Sequence, residues 1–297
     1  SFQNPWANFA TTSGKSPFPP FTQNANLPAS SAVFLTPISL PDVFDRSFHL
    51  PRTQSWNATI ERQLSDGVVA HLTYVGSQTY HQPTQIDQNP GIFADGGNRT
   101  QFPLFSNINL YSSLGTASYN ALQAVVELHA WHGFQFQSAF TWSKTLDLLS
   151  NGSDFGHTLA NPFNLLFNYG IADQNISAVS VTNFVYTTPA LRGRNMILRG
   201  VAGSWEVTGI YTAHSGQPFS IVGGGGNNNS GAQQYGDRAS TVPGKALIVH
   251  QGSKAHWLNQ YFNPAAFAIN SPGTFGNSGR NLLSGPGVQS ADLGFIK

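Results

Sequence analysis

The chain contains no cysteine. That excludes a disulfide scaffold and thiolate metal sites, and it suits a protein that crosses an oxidising compartment unfolded. Charge is scarce: 9% of the 297 residues are Asp, Glu, Lys or Arg, against about 25% in an ordinary globular protein. The formal net charge of +1 leaves no electrostatic footprint for nucleic acid. One Met and no Glu/Lys-rich amphipathic run argue against a helical protein. No apolar run approaches the ~20 residues of a membrane helix. The opening SFQNPWANF has no basic segment followed by an apolar one, so no signal peptide is visible, and a mature chain or a fragment is expected.

Asn, Gln, Ser and Thr carry the polarity instead. The chain holds 22 Phe, 30 Gly and 18 Pro, and 12% of it is aromatic. This is an all-β composition with long loops. Its clearest pattern lies in residues 116–147, which read as two antiparallel strands joined at Trp131, His132 and Gly133. Leu122, Ala124, Val126, Leu128 and Ala130 share one face of the first arm, and Gln123, Glu127 and His129 the other, with Val125 the exception. On the second arm Phe134, Phe136, Phe140 and Trp142 oppose Gln135, Gln137, Thr141 and Ser143. A period of two predicts strands with one apolar and one polar face. Arms of about a dozen residues exceed the ordinary 5–6 and match the 9–11 of a transmembrane strand.

A second hairpin is predicted over residues 52–80, turning at Ser65-Asp66-Gly67, because Asp-Gly between alternating runs is a strong hairpin signal. Further strands are expected over 177–188 and 204–214, separated by a basic turn region, LRGRNMILRGVAG. Residues 1–50, with prolines at 5, 17, 19, 20, 28, 37 and 41, read as a proline-rich extended loop region. Residues 81–115 and 148–176 read as loops, and GGGGNNNSG as a flexible one. About eight to ten strands are expected in all. Short turns at one end and long loops at the other, with Trp and Tyr near the strand ends, is the layout of an outer-membrane barrel.

Chemistry finds little support. His129-x-x-His132 straddles a strand end and a turn and lacks the further ligands a zinc site needs. No Ser, His and Asp pairing, nucleophile elbow or phosphate loop can be assigned. Asp95–Asn98 and Gly223–Asn229 carry oxygens that suit a cation but read as loops. The chain is therefore expected not to be an enzyme and to hold no cofactor and no metal.

Five strings in order add to this. RTQSWNATIERQLSDGVVAHLTYVGSQTYH, SYNALQAVVELHAWHGFQFQSAFTWSKTLD, GSWEVTGIYTAHSGQPFSI, YFNPAAF and the run GTFGNSGRNLLSGPG to DLGFIK resemble the barrel region of Oar-like TonB-dependent receptors. The resemblance covers roughly residues 51–297 and implies an antiparallel transmembrane β-barrel segment, an incomplete part of a larger barrel of about 22 strands. It implies a cell outer membrane location, contact with outer-membrane lipid and lipopolysaccharide, an unidentified large or scarce solute, and energy from a TonB complex acting through N-terminal parts that this chain does not carry. On that reading Leu122, Val126, Leu128, Phe134, Phe136, Phe140 and Trp142 face lipid, and Gln123, Glu127, His129, Gln135 and Gln137 face the lumen. The alternative on composition is a secreted soluble β-sandwich that binds glycans through exposed aromatics.

Overall fold

A computed structural model describes residues 37–150, 159–224, 226–232, 236–248 and 261–297. The dominant element is a nine-stranded sheet. Seven strands follow one another as antiparallel neighbours: β2 (Arg52–Ser65), β3 (Val68–Asp87), β4 (Phe105–Trp131), β5 (Phe134–Asp147), β7 (Ala178–Thr187), β8 (Glu206–His214) and β13 (Val288–Ile296). β1 (Ile38–Phe44) runs parallel to β4, and β6 (Gly170–Ile171) pairs with the end of β5. Two further two-stranded sheets, β10 (Ser240–Thr241) with β11 (Phe267–Ala268) and β9 (Pro218–Phe219) with β12 (Leu283–Ser284), lie in the loops. β2 and β13 stand at opposite edges of the main sheet, which does not close.

Both expected hairpins form, with registers set by tight turns. Ile60 stands opposite Leu72 and Ala58 opposite Tyr74 in the first, Leu122 opposite Trp142 and Glu127 opposite Gln137 in the second. His132 (φ 49°) and Gly133 (φ 82°) are both left-handed. That is the backbone of a two-residue hairpin turn whose twist matches its strands. Trp131, expected in the turn, is the last residue of β4.

Three expectations need correction. Residues 81–115 are not all loop, because β3 runs on to Asp87 and β4 begins at Phe105, giving strands of 20 and 27 residues. A register shift around Gln82 and Thr84 accommodates Pro83, and pairing resumes beyond it. Within the proline-rich stretch, Ile38–Phe44 forms a strand on the edge of β4 that β5 leaves free; residues 1–36 lie outside the described residues. The basic turn region contains a helix, α1 (Met196–Ala202), whose N-cap Asn195 accepts a 2.7 Å bond from the Leu198 amide.

The two tight turns lie at one end. The Asp66-Gly67 turn, the His132-Gly133 turn and the longer 188–205 connection meet there, as the bonds His129 N to Gly67 O (2.7 Å) and Thr187 N to Gly133 O (2.9 Å) show. The other long connections gather at the opposite end, and so does the buried core of Ile86, Leu148 and Leu159. Among the described residues the strands of this sheet contact their hydrogen-bonded neighbours in one layer, whereas a sandwich packs two sheets face to face.

Candidate functional site

Opposed residues of an antiparallel pair share a face, so the registers assign every side chain of the wall. One polar row reads Gln63, Val69, Glu127, Gln137, Asn183, Ile210 and Asp292 across seven strands. Along it Gln137 Nε2 donates to Glu127 Oε1 at 2.9 Å, and Asn183 Nδ2 donates to Gln137 Oε1 at 3.2 Å. His129 approaches the second oxygen of Glu127 at 3.3 Å. The next row brings His71 to 3.5 Å from Glu61. A row further on, Thr59 and Thr73 share a 3.0 Å hydroxyl bond, and Gln123 stands beside Thr73 and Thr141.

Glu127, His129 and Gln137 are thus brought together, Gln123 stands two rows away on the same face, and Gln135 stands opposite Val185. Asn183, which completes the ladder, was missed because the Val-rich strand around it hides its period. This face is not uniformly polar, since Val125, Val179, Val181 and Val185 share it.

The opposite face is mainly apolar, interrupted by Arg62, Ser138, Ser180 and Thr182. Ile60, Leu72, Ala124 and Phe140 form one row; Ala58, Tyr74, Leu122 and Trp142 another; Val68, Leu128, Phe136, Phe184, Gly209 and Leu293 a third. Phe134 stacks on Phe136 with centroids 6.2 Å apart and lies 6.0 Å from Phe184. Val126 stands between Ala70 and Ser138 on this face. Ile60, Leu72, Tyr74, Leu122, Val126 and Leu293 are exposed, Phe140 by 47% and Trp142 by 63%, while Leu128, Phe134, Phe136 and Phe184 are half-buried. An apolar face of this breadth left open exceeds what a water-soluble monomer carries.

The loop end is a hydrogen-bonded cap built on buried polar residues. Arg280 pairs with the buried Asp147 at the end of β5 and donates to Ile171 O at 3.0 Å. Its neighbour Asn281 donates to Ile171 O at 2.8 Å and to Asp173 at 2.6 Å. Arg99 pairs with Asp87 at the end of β3. Asn89 holds the 88–104 turn from inside. The GGGGNNNSG segment is tied in as well: Asn227 and Asn229 donate to the Oδ1 and carbonyl of Asn270 at 2.7 Å each. Arg238 stacks on Phe167 with its guanidinium 4.0 Å from the ring centre. Burial pushes Arg238 and Arg280 down to about 10, so both carry charge at neutral pH. These pairings join residues up to 133 positions apart, and no spacing in the sequence announces them.

The described residues contain no group of three His, Cys, Asp or Glu that could hold a metal ion. His132 sits in the β4–β5 turn, beside Trp131.

No curated protein matches the chain. Among solved structures, the outer membrane transporter YddB from Escherichia coli is similar at 13% identity and a TM-score of 0.43, over 64% of this chain. The chain spans about a quarter (24%) of the length of that structure, and the likeness is too distant to carry an argument. The family described as "Outer membrane beta barrel domain" matches residues 1–297. With long antiparallel strands and an open apolar face already in view, the chain belongs to the outer membrane beta barrel domain family, and its place is the outer membrane.

Proposed function

We propose that the chain is part of the wall of a TonB-dependent transporter that carries a large or scarce solute across the outer membrane. The carrying observation is the division of one sheet into an exposed apolar face and a face bearing the Glu127–Gln137–Asn183 ladder. In hydrocarbon only a closed or completed sheet with apolar side chains outward is stable, so the Leu122, Val126, Leu128, Phe134, Phe136, Phe140 and Trp142 face meets lipid. Gln123, Glu127, His129, Gln135 and Gln137 then line the lumen, where water satisfies whatever polar atoms the ladder leaves over. Short turns are periplasmic and long loops external in such barrels. The hydrogen-bonded cap therefore stands outside, against lipopolysaccharide and the incoming solute. The ordered strings shared with Oar-like receptors support the energy-coupled reading. The wall has a binding and conducting role and no catalytic one.

The test uses the full-length protein in outer-membrane vesicles and the absence of native cysteine in this chain. Gln137→Cys should react with a charged, membrane-impermeant thiosulfonate and Phe140→Cys should not; the reverse pattern overturns the orientation. For energy coupling, cells lacking this gene and cells lacking TonB should lose uptake of the same solute. A solute lost in only the first strain removes the TonB assignment.

A further inference from the structure

Helix α1 does not fit an ordinary periplasmic turn. It buries none of its residues. Met196, Ile197 and Val201 are exposed by 80%, 77% and 68%. At 100° per residue these three fall within one arc of ~140°, with Arg199 on the far side. The connection from Thr188 to Trp205 carries Arg192, Arg194 and Arg199 and no Asp or Glu. None of the three arginines has an ion-pair partner among the described residues. The segment thus combines an apolar arc with unneutralised positive charge.

Its position joins it to the wall. The connection starts level with the His132-Gly133 turn. Trp205 lies two residues before Val207, which stands opposite Phe295, so Trp205 belongs to the apolar face. Its indole nitrogen donates to the Val201 carbonyl at 2.6 Å, which hangs the C-terminal end of α1 from that face. The Lys297 ammonium lies 4.9 Å over the same ring. An indole with one end in an apolar band and the other beside cations is the arrangement of a membrane interface.

Resting on the lipid-facing orientation proposed above, we propose that α1 is an interfacial anchor. Its Met196–Ile197–Val201 side is seated in the periplasmic leaflet, and Arg192, Arg194 and Arg199 lie among anionic phospholipid headgroups. The apolar arc continues the lipid-facing band past its edge, and the charge complements an anionic leaflet. A docked periplasmic protein would also cover the helix, but it would not require continuity with the band.

The experiment is spin-label accessibility in the full-length protein, held in nanodiscs of phosphatidylethanolamine and phosphatidylglycerol. A nitroxide at Ile197→Cys should collide more with oxygen than with a water-soluble nickel chelate, at a depth of about 5–10 Å into the headgroup and acyl boundary. Arg192→Gln, Arg194→Gln and Arg199→Gln together should move the label outward, and so should replacing the anionic lipid with phosphatidylcholine. Nickel accessibility equal to that of a label at Asp66→Cys, in the neighbouring turn, overturns the proposal. Protection from both reagents also overturns it, because the helix is then covered by protein. A label at Phe140→Cys separates the two levels. If it reports lipid while Ile197→Cys does not, only the anchor falls; if neither does, the orientation of the wall falls with it.

Discussion

The indole of Trp56 lies across Gly76 on the neighbouring strand, so close that a Cβ at Gly76 would overlap its Nε1. Phe184 covers Gly209 in the same way four strands along. Glycine weakens a strand by leaving its backbone bare, and a ring from the opposite residue restores the cover. Gly76→Val should force the indole off its seat at a cost of about 1–3 kcal/mol. Urea unfolding of the lipid-embedded protein measures this. Combining it with Trp56→Ala should recover part of the loss, since the clash needs both side chains. Additive costs would show that the indole does not depend on the glycine.

The proposed orientation gives a second expectation. Val126 and Gln137 lie on opposite faces of one hairpin, on adjacent rows. Val126→Arg should weaken membrane assembly by about 2–4 kcal/mol if it lies near the bilayer midplane. Gln137→Arg should be far milder, because the lumen is wet and Glu127 is already 2.9 Å from residue 137. Assembly yield from heat-modifiable gel mobility compares the two, and equal yields would remove the assignment of faces.

The Arg280–Asp147 pair clamps the end of β5 to the late loops. Asp147 is 3% exposed, so Arg280→Leu leaves a buried carboxylate with Ser150 Oγ (2.8 Å) as a remaining donor. Removing one member of a buried pair costs about 3–5 kcal/mol. The 148–176 connection should become protease-sensitive while the hairpins stay protected. Arg280→Leu with Asp147→Asn should be less harmful than Arg280→Leu alone, since no unpaired charge is then buried.

What could be seen in the sequence followed from locality. Period-two alternation and two-residue turns fixed the 52–80 and 116–147 hairpins and assigned Leu122, Trp142, Glu127 and Gln137 to their faces before any pairing was known. Beyond residue 81 that signal fails. Thr84, Gln85, Ile86 and Asp87 are all buried, and three of the four are polar, so no alternation of apolar and polar residues marks a face there. Helix α1 is seven residues long and contains Gly200, too short for a helical period to show. The one local sign was Asn195, a helix-capping residue, before Met196-Ile197-Leu198. The cap was invisible for the opposite reason: Arg280, Asn281, Asp147 and Asp173 meet only after the chain has folded.

Asn89 supplies a last expectation because it does the work of several residues. It is completely buried. Its amide nitrogen lies 3.1, 2.8 and 3.0 Å from the carbonyls of Phe102, Phe105 and Ser106, and its oxygen accepts from the Phe102 amide at 3.0 Å. Three acceptors for two hydrogens means at least one bond is shared. Asn89→Asp keeps the shape and the acceptor but loses both donors, turning the site towards three carbonyls with a negative charge. Each buried polar group left without a partner costs about 1–3 kcal/mol. Asn89→Asp should therefore be worse than Asn89→Ala, which removes the repulsion along with the bonds. Hydrogen exchange at Phe102 and across residues 88–104 should rise in the order wild type, Asn89→Ala, Asn89→Asp, with the 116–147 hairpin unchanged. An equal or reversed order would show that the amide donors do not hold the turn.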